Sequence, residues 1–270
     1  MPSERARAFS LRVPVQRQVP AALRVTGRPA LTRLPLFENG WFELQDAGSQ
    51  AIAECGAARR GERVIDFCAG AGGKTLALAA RMRNQGQVLA FDTDEARLSR
   101  LGPRLKRAGV DIVTQMRLKD STDARLARYQ GWADLVLVDA PCSGSGTLRR
   151  HPEIAWSLDS TAALGTLPTL QLQILSAASS RVALGGSLVY STCSPLVSED
   201  ESVVRAFLAS PAGQGFSVVP VASAPGLSNA GATAARLVAE SMSAEGFFVA
   251  RQLPGSHDAH FCARLVRKGE

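Results

Sequence analysis

The amino-acid sequence predicts an α/β fold with a doubly wound, mostly parallel sheet. The chain has 270 residues, of which 46% are hydrophobic and 20% charged, a composition typical of a globular α/β domain. From residue 60 onward, short apolar or β-branched runs alternate with helical stretches, and this alternation places helices on both faces of a parallel sheet. A glycine-rich turn joins the first of these strands to the first helix, as in nucleotide-binding sheets.

The individual elements follow from hydrophobic periodicity and from the turn residues between them. Strands are predicted at residues 63–67, 87–91, 112–116, 134–139 and 187–192. Helices are predicted at residues 74–84, 94–108, 161–184 and 198–209. Residues 222–239 are rich in Ala and Ser and predict a surface loop with some helix, whereas residues 246–250 and 261–266 predict a closing hairpin.

Positive charge is concentrated at the N-terminus. The net charge is +7, and residues 1–35 alone hold seven arginines and one glutamate. We therefore predict that residues 1–37 form a basic arm, or the remnant of an RNA-binding region, with one or two strands. A basic arm on a nearly neutral body favours a nucleic-acid partner, because phosphate contacts release counterions. The alternative is a solvated tail.

Several classes of protein are excluded by the same survey. No apolar run approaches the roughly 20 residues that cross a bilayer, and the arginine-rich start has no apolar core of a secretory signal. The five cysteines form no C-x-x-C pair, so reduced thiols and a cytoplasmic location are expected rather than a mitochondrial one. His257 and His260 supply only two ligands, so no metal is predicted. A monomer is expected.

The glycine-rich turn is compatible with two cofactor classes. It consists of Cys68, Ala69, Gly70, Ala71, Gly72, Gly73 and Lys74, followed by Thr75. A phosphate-binding P-loop has a similar ending but needs a glycine where Cys68 stands. Asp92 ends the next strand, at the distance along the chain that is typical of an acid that binds a ribose. The third glycine of the dinucleotide-binding motif G-x-G-x-x-G is missing, because Thr75 stands in its place. The turn therefore favours a mononucleoside such as S-adenosylmethionine over a dinucleotide.

Two cysteines terminate neighbouring strands of the predicted sheet. Cys142 follows a strand that ends at Asp139, and Cys193 follows the strand at residues 187–192. Both thiols are therefore expected at the ligand-binding edge, beside the glycine turn. A thiolate that adds to carbon 6 of a pyrimidine makes carbon 5 nucleophilic enough to accept a methyl group. Asp139 is a candidate to protonate the ring or to contact the base.

At these positions the chain resembles the Sun-domain (Nol/Nop/Sun) family of RNA cytosine-5 methyltransferases, over residues 38–266. The matching motifs are the NGWFELQDAGSQ run at residues 39–50, the glycine turn, DAPCSGSGT at residues 139–147 with RRHPE at 149–153, and YSTCS at 190–194. The resemblance implies a Rossmann-like S-adenosylmethionine-dependent methyltransferase domain over residues 38–270.

The resemblance also implies a role for each matching residue. Cys193 corresponds to the nucleophile and Cys142 to the thiol that assists product release. The glycine turn, Asp92, Asp120 and Asp139 correspond to positions around S-adenosylmethionine. Asp94 is the alternative to Asp92 at the ribose, but its place one residue past the strand favours a helix start.

The sequence departs from the family in two respects. Gly70 and Ala71 stand where the family often has Ala-Pro, and the N-terminus is shorter than in the bacterial 16S rRNA branch. The short N-terminus leaves the arm, Arg149, Arg150 and His151 as candidates for phosphate contact, or requires an RNA-binding partner protein. The substrate is expected to be unpaired or locally melted rRNA, with tRNA as the alternative. The alternatives are a P-loop NTPase, which Cys68 disfavours, and a non-catalytic RNA-binding relative, which the presence of both cysteines disfavours.

Overall fold

A computed structural model describes residues 15–17, 23–25, 27, 29–157, 165–224, 238, 240–251 and 257–269. Its strands are β1 (Val15–Arg17), β2 (Leu23–Val25), β3 (Arg63–Asp66), β4 (Gln87–Asp92), β5 (Val113–Arg117), β6 (Ala133–Asp139), β7 (Val182–Thr192), β8 (Phe216–Val219), β9 (Phe248–Ala250) and β10 (His260–Arg267). Its α-helices are α1 (Pro35–Glu38), α2 (Ala47–Gly56), α3 (Gly73–Arg81), α4 (Glu95–Leu98), α5 (Leu101–Ala108), α6 (Ile154–Ser157), α7 (Leu167–Ser179) and α8 (Glu201–Ala209).

Strands β3 to β10 form one eight-stranded sheet. Their order is β5-β4-β3-β6-β7-β10-β8, with β9 pairing to β10. Strands β3 to β7 pair in parallel, whereas β10 runs antiparallel to β7, β8 and β9. The chain moves outward from β3 to β5 and then crosses to β6 on the other side of β3. The crossing creates a switch point between β3 and β6, where open α/β sheets bind ligands.

The core lies on both faces of the sheet, as the doubly wound prediction requires. Along β3, Val64 and Ile65 are both fully buried but belong to different apolar clusters, because successive side chains point to opposite faces. Helices α7 and α8 cover the face of Ile65 through residues such as Leu175 and Phe207. Helices α2 and α3 cover the face of Val64 through Ile52 and Leu78.

Most predicted elements are confirmed, with two errors in the helices. The predicted helix at 161–184 is wrong at its end, since α7 stops at Ser179 and β7 already begins at Val182. The predicted helix at 94–108 is divided into α4 and α5. Helix α2 and strand β8 were not predicted, and most of the predicted loop at 222–239 lies outside the described residues.

The N-terminal arm contains two short strands, as predicted. Strands β1 and β2 pair antiparallel in a separate two-stranded sheet. The rest of residues 1–28, apart from Gly27, lies outside the described part of the chain.

Within the described residues, no helix combines the length and apolar character needed to cross a membrane.

Candidate active site

The glycine turn connects β3 to α3 at the carboxyl edge of the sheet. Gly72 precedes α3 with a φ of 83°, in the left-handed region that favours glycine, and a Cβ there would lie 2.1 Å from the Leu101 side chain. The backbone therefore turns sharply and leads directly into the N-terminus of α3.

Asp92 fastens this turn to the end of β4. One carboxylate oxygen accepts the N–H of Gly70 at 2.7 Å, and the other accepts the N–H of Asp94 at 2.8 Å. Asp94 in turn caps α4 by accepting the N–H of Arg97. The expectation that Asp94 starts a helix is confirmed, and Asp92 is the acid that lies against the turn.

A half-buried lysine–aspartate pair lies beside the turn. Lys74 Nζ is 2.6 Å from Asp139 Oδ2, and the Ser191 hydroxyl donates to Asp139 Oδ1 at 3.0 Å. Burial lowers the pKa of Lys74, but attraction to the Asp139 carboxylate outweighs burial, so the pKa is raised overall. The charged lysine therefore forms an ion pair with the carboxylate at the end of β6.

Asp66 at the end of β3 was not singled out from the sequence, although it borders the same turn. Its Oδ2 accepts the Thr75 hydroxyl at 2.7 Å, while Oδ1 is buried without a hydrogen-bond partner among the described residues. Burial raises the pKa of Asp66 to about 7. Burial also raises the pKa of the Cys68 thiol, and the negative charges of Asp66, Asp92 and Asp139 raise it further. The turn is therefore surrounded by carboxyl groups.

The two predicted site cysteines meet at the ends of β6 and β7. Their Sγ atoms are 3.2 Å apart. The hydrogen bond with Cys142 lowers the pKa of Cys193, and the Lys74 ammonium also lowers it, against the opposing effects of burial and Asp139. The same hydrogen bond and burial raise the pKa of Cys142. The arrangement therefore favours a thiolate on Cys193 and a neutral thiol on Cys142.

Glu199 holds the Cys142 loop in place, and sequence reasoning missed it. Its side chain is fully buried and accepts the N–H of Ser143 at 2.8 Å, the Ser143 hydroxyl at 2.6 Å and the Gln171 amide at 3.0 Å. The Glu199 carbonyl accepts the Tyr190 hydroxyl. One residue thus connects the loop after β6 to strand β7.

The backbone around Cys193 is tightly packed. Gly146 donates its N–H to the Cys193 carbonyl at 3.0 Å, and a Cβ on Gly146 would lie 2.7 Å from that oxygen. The preceding residue, Thr192, donates its hydroxyl to Asp200 at 2.5 Å. These contacts fix the turn that presents the Cys193 thiol.

Arg149 and Arg150, predicted as candidates for phosphate contact, form ion pairs with a buried aspartate. Arg149 lies 3.1 Å from Asp258, and Arg150 donates to the same fully buried carboxylate at 2.6 Å. Asp46 and His260 complete the cluster, with His260 Nε2 3.1 Å from Asp46. The cluster ties the RRHPE segment to α2 and β10, because the two guanidinium groups neutralise its buried carboxylates.

Asp120 is the remaining cofactor residue that the sequence predicted. Asp120 follows β5, where its carboxylate accepts the N–H and hydroxyl of Thr122, which lower its pKa. Leu118, two residues earlier, donates its N–H to the Asp92 carbonyl, so the segment begins beside the glycine turn. Cys55 and Cys262 are fully buried in the core.

Comparisons with known proteins identify relatives with the same fold. The family described as 16S rRNA methyltransferase RsmB/F matches residues 55–253. Ribosomal RNA small subunit methyltransferase B of Citrobacter koseri is 40% identical over 191 residues, which are 70% of this chain and 43% of that protein. The chain thus spans less than half the length of the curated relatives it matches.

Two solved structures superpose on most of the chain. PH0851 has 32% sequence identity and a TM-score of 0.80, and the match covers 94% of this chain and 54% of that chain. NSun6 from Pyrococcus horikoshii, solved with SFG, has 25% identity and a TM-score of 0.72, over 92% of this chain and 60% of that one. Together with the motifs around the two thiols, the family match leads to one conclusion: the chain belongs to the RsmB/F family of 16S rRNA methyltransferases.

Proposed function

We propose that this protein transfers a methyl group from S-adenosylmethionine to carbon 5 of a cytosine in RNA, with 16S rRNA as the substrate. The single observation that carries the proposal is the pair of thiols 3.2 Å apart beside the glycine turn. The Citrobacter koseri relative is named for small-subunit ribosomal RNA, which supports rRNA over tRNA. Residues 38–270 would form the methyltransferase domain and act in the cytoplasm, with residues 1–37 as a basic arm toward RNA phosphates.

The charges around the turn suit S-adenosylmethionine better than a nucleoside triphosphate. Asp66, Asp92 and Asp139 line this region, and carboxylates repel a triphosphate but attract a sulfonium or ammonium group. The orphaned Oδ1 of Asp66 could accept a hydrogen bond from such a ligand. Residues 68–74, Asp92, Asp120 and Asp139 would hold the cofactor, which supplies an electrophilic methyl group when bound.

The thiol roles follow from the opposite shifts of their pKa values. The Cys193 thiolate would attack carbon 6 of the cytosine, because its pKa is lowered whereas that of Cys142 is raised. Asp139 would contact the base edge and favour protonation of the ring. After methyl transfer to carbon 5, a base would take the proton from that carbon. The electrons of the broken C–H bond would re-form the 5,6 double bond and expel the Cys193 sulfur from carbon 6 as a thiolate, and Cys142 would assist this release.

The test is transfer of a labelled methyl group from S-adenosylmethionine to total bacterial RNA, followed by bisulfite sequencing of 16S rRNA. We expect one protected cytosine in 16S rRNA with the wild type and with Cys55→Ala, and none with Cys193→Ala. Cytosines protected from bisulfite in tRNA alone would show that the substrate is tRNA and not rRNA. Binding of ATP without binding of S-adenosylmethionine, or RNA binding without transfer, would instead support the alternative classes.

A further inference from the structure

A second polar site lies at the opposite edge of the sheet from the thiols. It is a groove of about 490 Å³, and its floor includes the side chain of Arg264 from β10. A bulge in the pairing of β6 with β7 leaves Gly185 and Gly186 along one wall. Ser187 also lines the groove and precedes Cys193 by six residues. At the rise per residue of a β-strand, the groove and the thiols are therefore roughly 20 Å apart along β7.

Arg264 is a buried cation that no carboxylate in the described part of the chain neutralises. Only 8% of its surface is exposed, and its one hydrogen bond runs from a terminal nitrogen to the Ser187 hydroxyl at 2.7 Å. Its Nε is buried without any partner among the described residues. Buried arginines are normally paired, because removing an isolated charge from water is costly. Arg264 breaks this rule.

The acidic side chains of the groove already have other partners. Glu62 accepts the backbone N–H of Arg59 at 2.7 Å. Asp134 accepts the backbone N–H of Arg63 at 2.8 Å and forms an ion pair with its guanidinium. These contacts hold both carboxylates at the rim, and neither of them forms an ion pair with Arg264.

The rim adds further positive charge above Arg264. The exposed side chains of Arg59 and Arg60 line the same groove, where Arg59 lies 4.0 Å from Glu62 and Arg60 donates to Gln85 at 3.0 Å. With Arg264 they outnumber the two carboxylates, and guanidinium groups match the oxygens of a phosphate in geometry as well as charge. Burial lowers the pKa of Arg264 and the nearby Arg59 cation lowers it further, whereas attraction to Glu62 opposes them only in part.

We propose that this groove is an anion site, in which Arg264 binds the oxygens of a phosphate group from below while Arg59 and Arg60 approach it from the rim. The phosphate could belong to free orthophosphate, to a terminal phosphate of RNA or to an RNA phosphodiester. In each case the bound oxyanion forms the ion pair with Arg264 that no carboxylate of the described residues forms. The site is independent of methyl transfer, because it shares no residue with the thiol edge.

The experiment measures phosphate binding by calorimetry and by thermal unfolding at constant ionic strength, with chloride as the balancing anion. The variants are Arg264→Met, which removes the charge, Arg264→Lys, which keeps it, and Arg205→Met as a control for an exposed, paired arginine. We expect saturable binding and a rise in Tm for the wild type, Arg264→Lys and Arg205→Met. Arg264→Met should weaken binding by about tenfold or more, since one charged contact is lost.

One further comparison identifies the ligand, and a second variant keeps the test informative if Arg264→Met does not fold. Orthophosphate is compared with a five-nucleotide RNA bearing a 5′-phosphate and with the same RNA lacking it, and the compound that binds in an Arg264-dependent way identifies the source of the phosphate. If Arg264→Met does not fold, the double variant Arg59→Ser/Arg60→Ser should weaken binding severalfold. Absence of saturable binding by all three compounds, or equal binding by every variant, would overturn the proposal.

Discussion

The Sγ atoms of Cys142 and Cys193 lie 3.2 Å apart although the residues are 51 positions apart in the chain. Each follows the carboxyl end of one of two neighbouring parallel strands, β6 and β7, and that pairing brings them together. When Cys193 is ionised, only the Cys142 thiol can donate in this contact, and the Lys74 ammonium also lowers the pKa of Cys193. The surroundings of the pair therefore distinguish the two thiols.

The first prediction concerns the acidity of Cys193. Cys142→Ala removes the thiol that donates to Cys193, so the pKa of Cys193 should rise. Because the thiolate is the reactive form, alkylation of Cys193 by iodoacetamide should require a higher pH than in the wild type. Mass spectrometry of the Cys193 peptide across a pH series measures the shift. Lys74→Met should move the pKa in the same direction, and an unchanged profile in both variants would contradict the assignment.

The second prediction concerns Asp92 and the glycine turn. Asp92→Ala should weaken binding of S-adenosylmethionine by about 1.5–3 kcal/mol, the range for hydrogen bonds to a charged group. Part of this loss comes from the turn, because Asp92 also accepts the N–H groups of Gly70 and Asp94. Calorimetric titration gives the affinity, with Asp94→Ala as the matched control. Greater loss in the control would move the ribose contact to Asp94.

The third prediction concerns Glu199 as a positioning residue for Cys142. Glu199→Gln removes the carboxylate charge and replaces one acceptor oxygen by an N–H₂ group. At the Oε2 position the Ser143 hydroxyl loses its acceptor, and at the Oε1 position the Ser143 N–H and the Gln171 amide both lose theirs. We expect the free energy of unfolding to fall by about 1–3 kcal/mol, as for a buried hydrogen bond left unmade. Urea unfolding measures the change. Glu201→Gln, in the first turn of α8, serves as the control and should leave stability within about 0.5 kcal/mol.

These residues show which parts of the molecule could be predicted from the sequence. Glycines and strand-terminal residues are local signals, so the turn and the shared edge of Asp92, Asp139 and the thiols followed from parallel pairing alone. Glu199 gave no local signal, because its role depends on contacts with Ser143 and Gln171, 56 and 28 residues away. Arg264 is similar, since only the folded sheet shows that a basic residue in β10 lacks a carboxylate.

The errors in the elements have equally specific causes. Helix α2 consists largely of small residues and lacks a strong apolar period, so only its cap at Asp46, which accepts the N–H of Gly48, marks its start. The segment after α7 continues an apolar pattern through Val182 and Leu184 that fits helix and strand alike. Pairing of Val182 with Ala133 determines the outcome, and that contact is not visible in local sequence.

The fourth prediction concerns Asp200 and the pH dependence of stability. Burial raises the pKa of Asp200 to about 8 in the folded protein, whereas an unfolded aspartate titrates near 3.9. The folded state therefore favours the protonated acid, and its contribution to stability is fully present below about pH 4 and is lost as pH rises toward 8. Asp200→Asn mimics the protonated acid and still offers an oxygen to Thr192. Its stability relative to the wild type should increase between pH 4 and pH 8, measured by urea unfolding, and a constant difference would contradict the shift.

The last prediction separates the roles of the two thiols. If the Cys193 sulfur forms the bond to carbon 6, Cys193→Ala should abolish both methyl transfer and any covalent protein–RNA species, while binding of S-adenosylmethionine persists. Cys142→Ala retains the nucleophile but loses the thiol that assists release, so a covalent species should accumulate and survive denaturing gel electrophoresis. The double variant should lose that species, because no sulfur remains to form it. The loss of the Cys142 donor also raises the pKa of Cys193, so trapping by Cys142→Ala should strengthen as the pH is raised. Trapping by Cys193→Ala would reverse the assignment of the two thiols, and full activity in both single variants would exclude both from the chemistry.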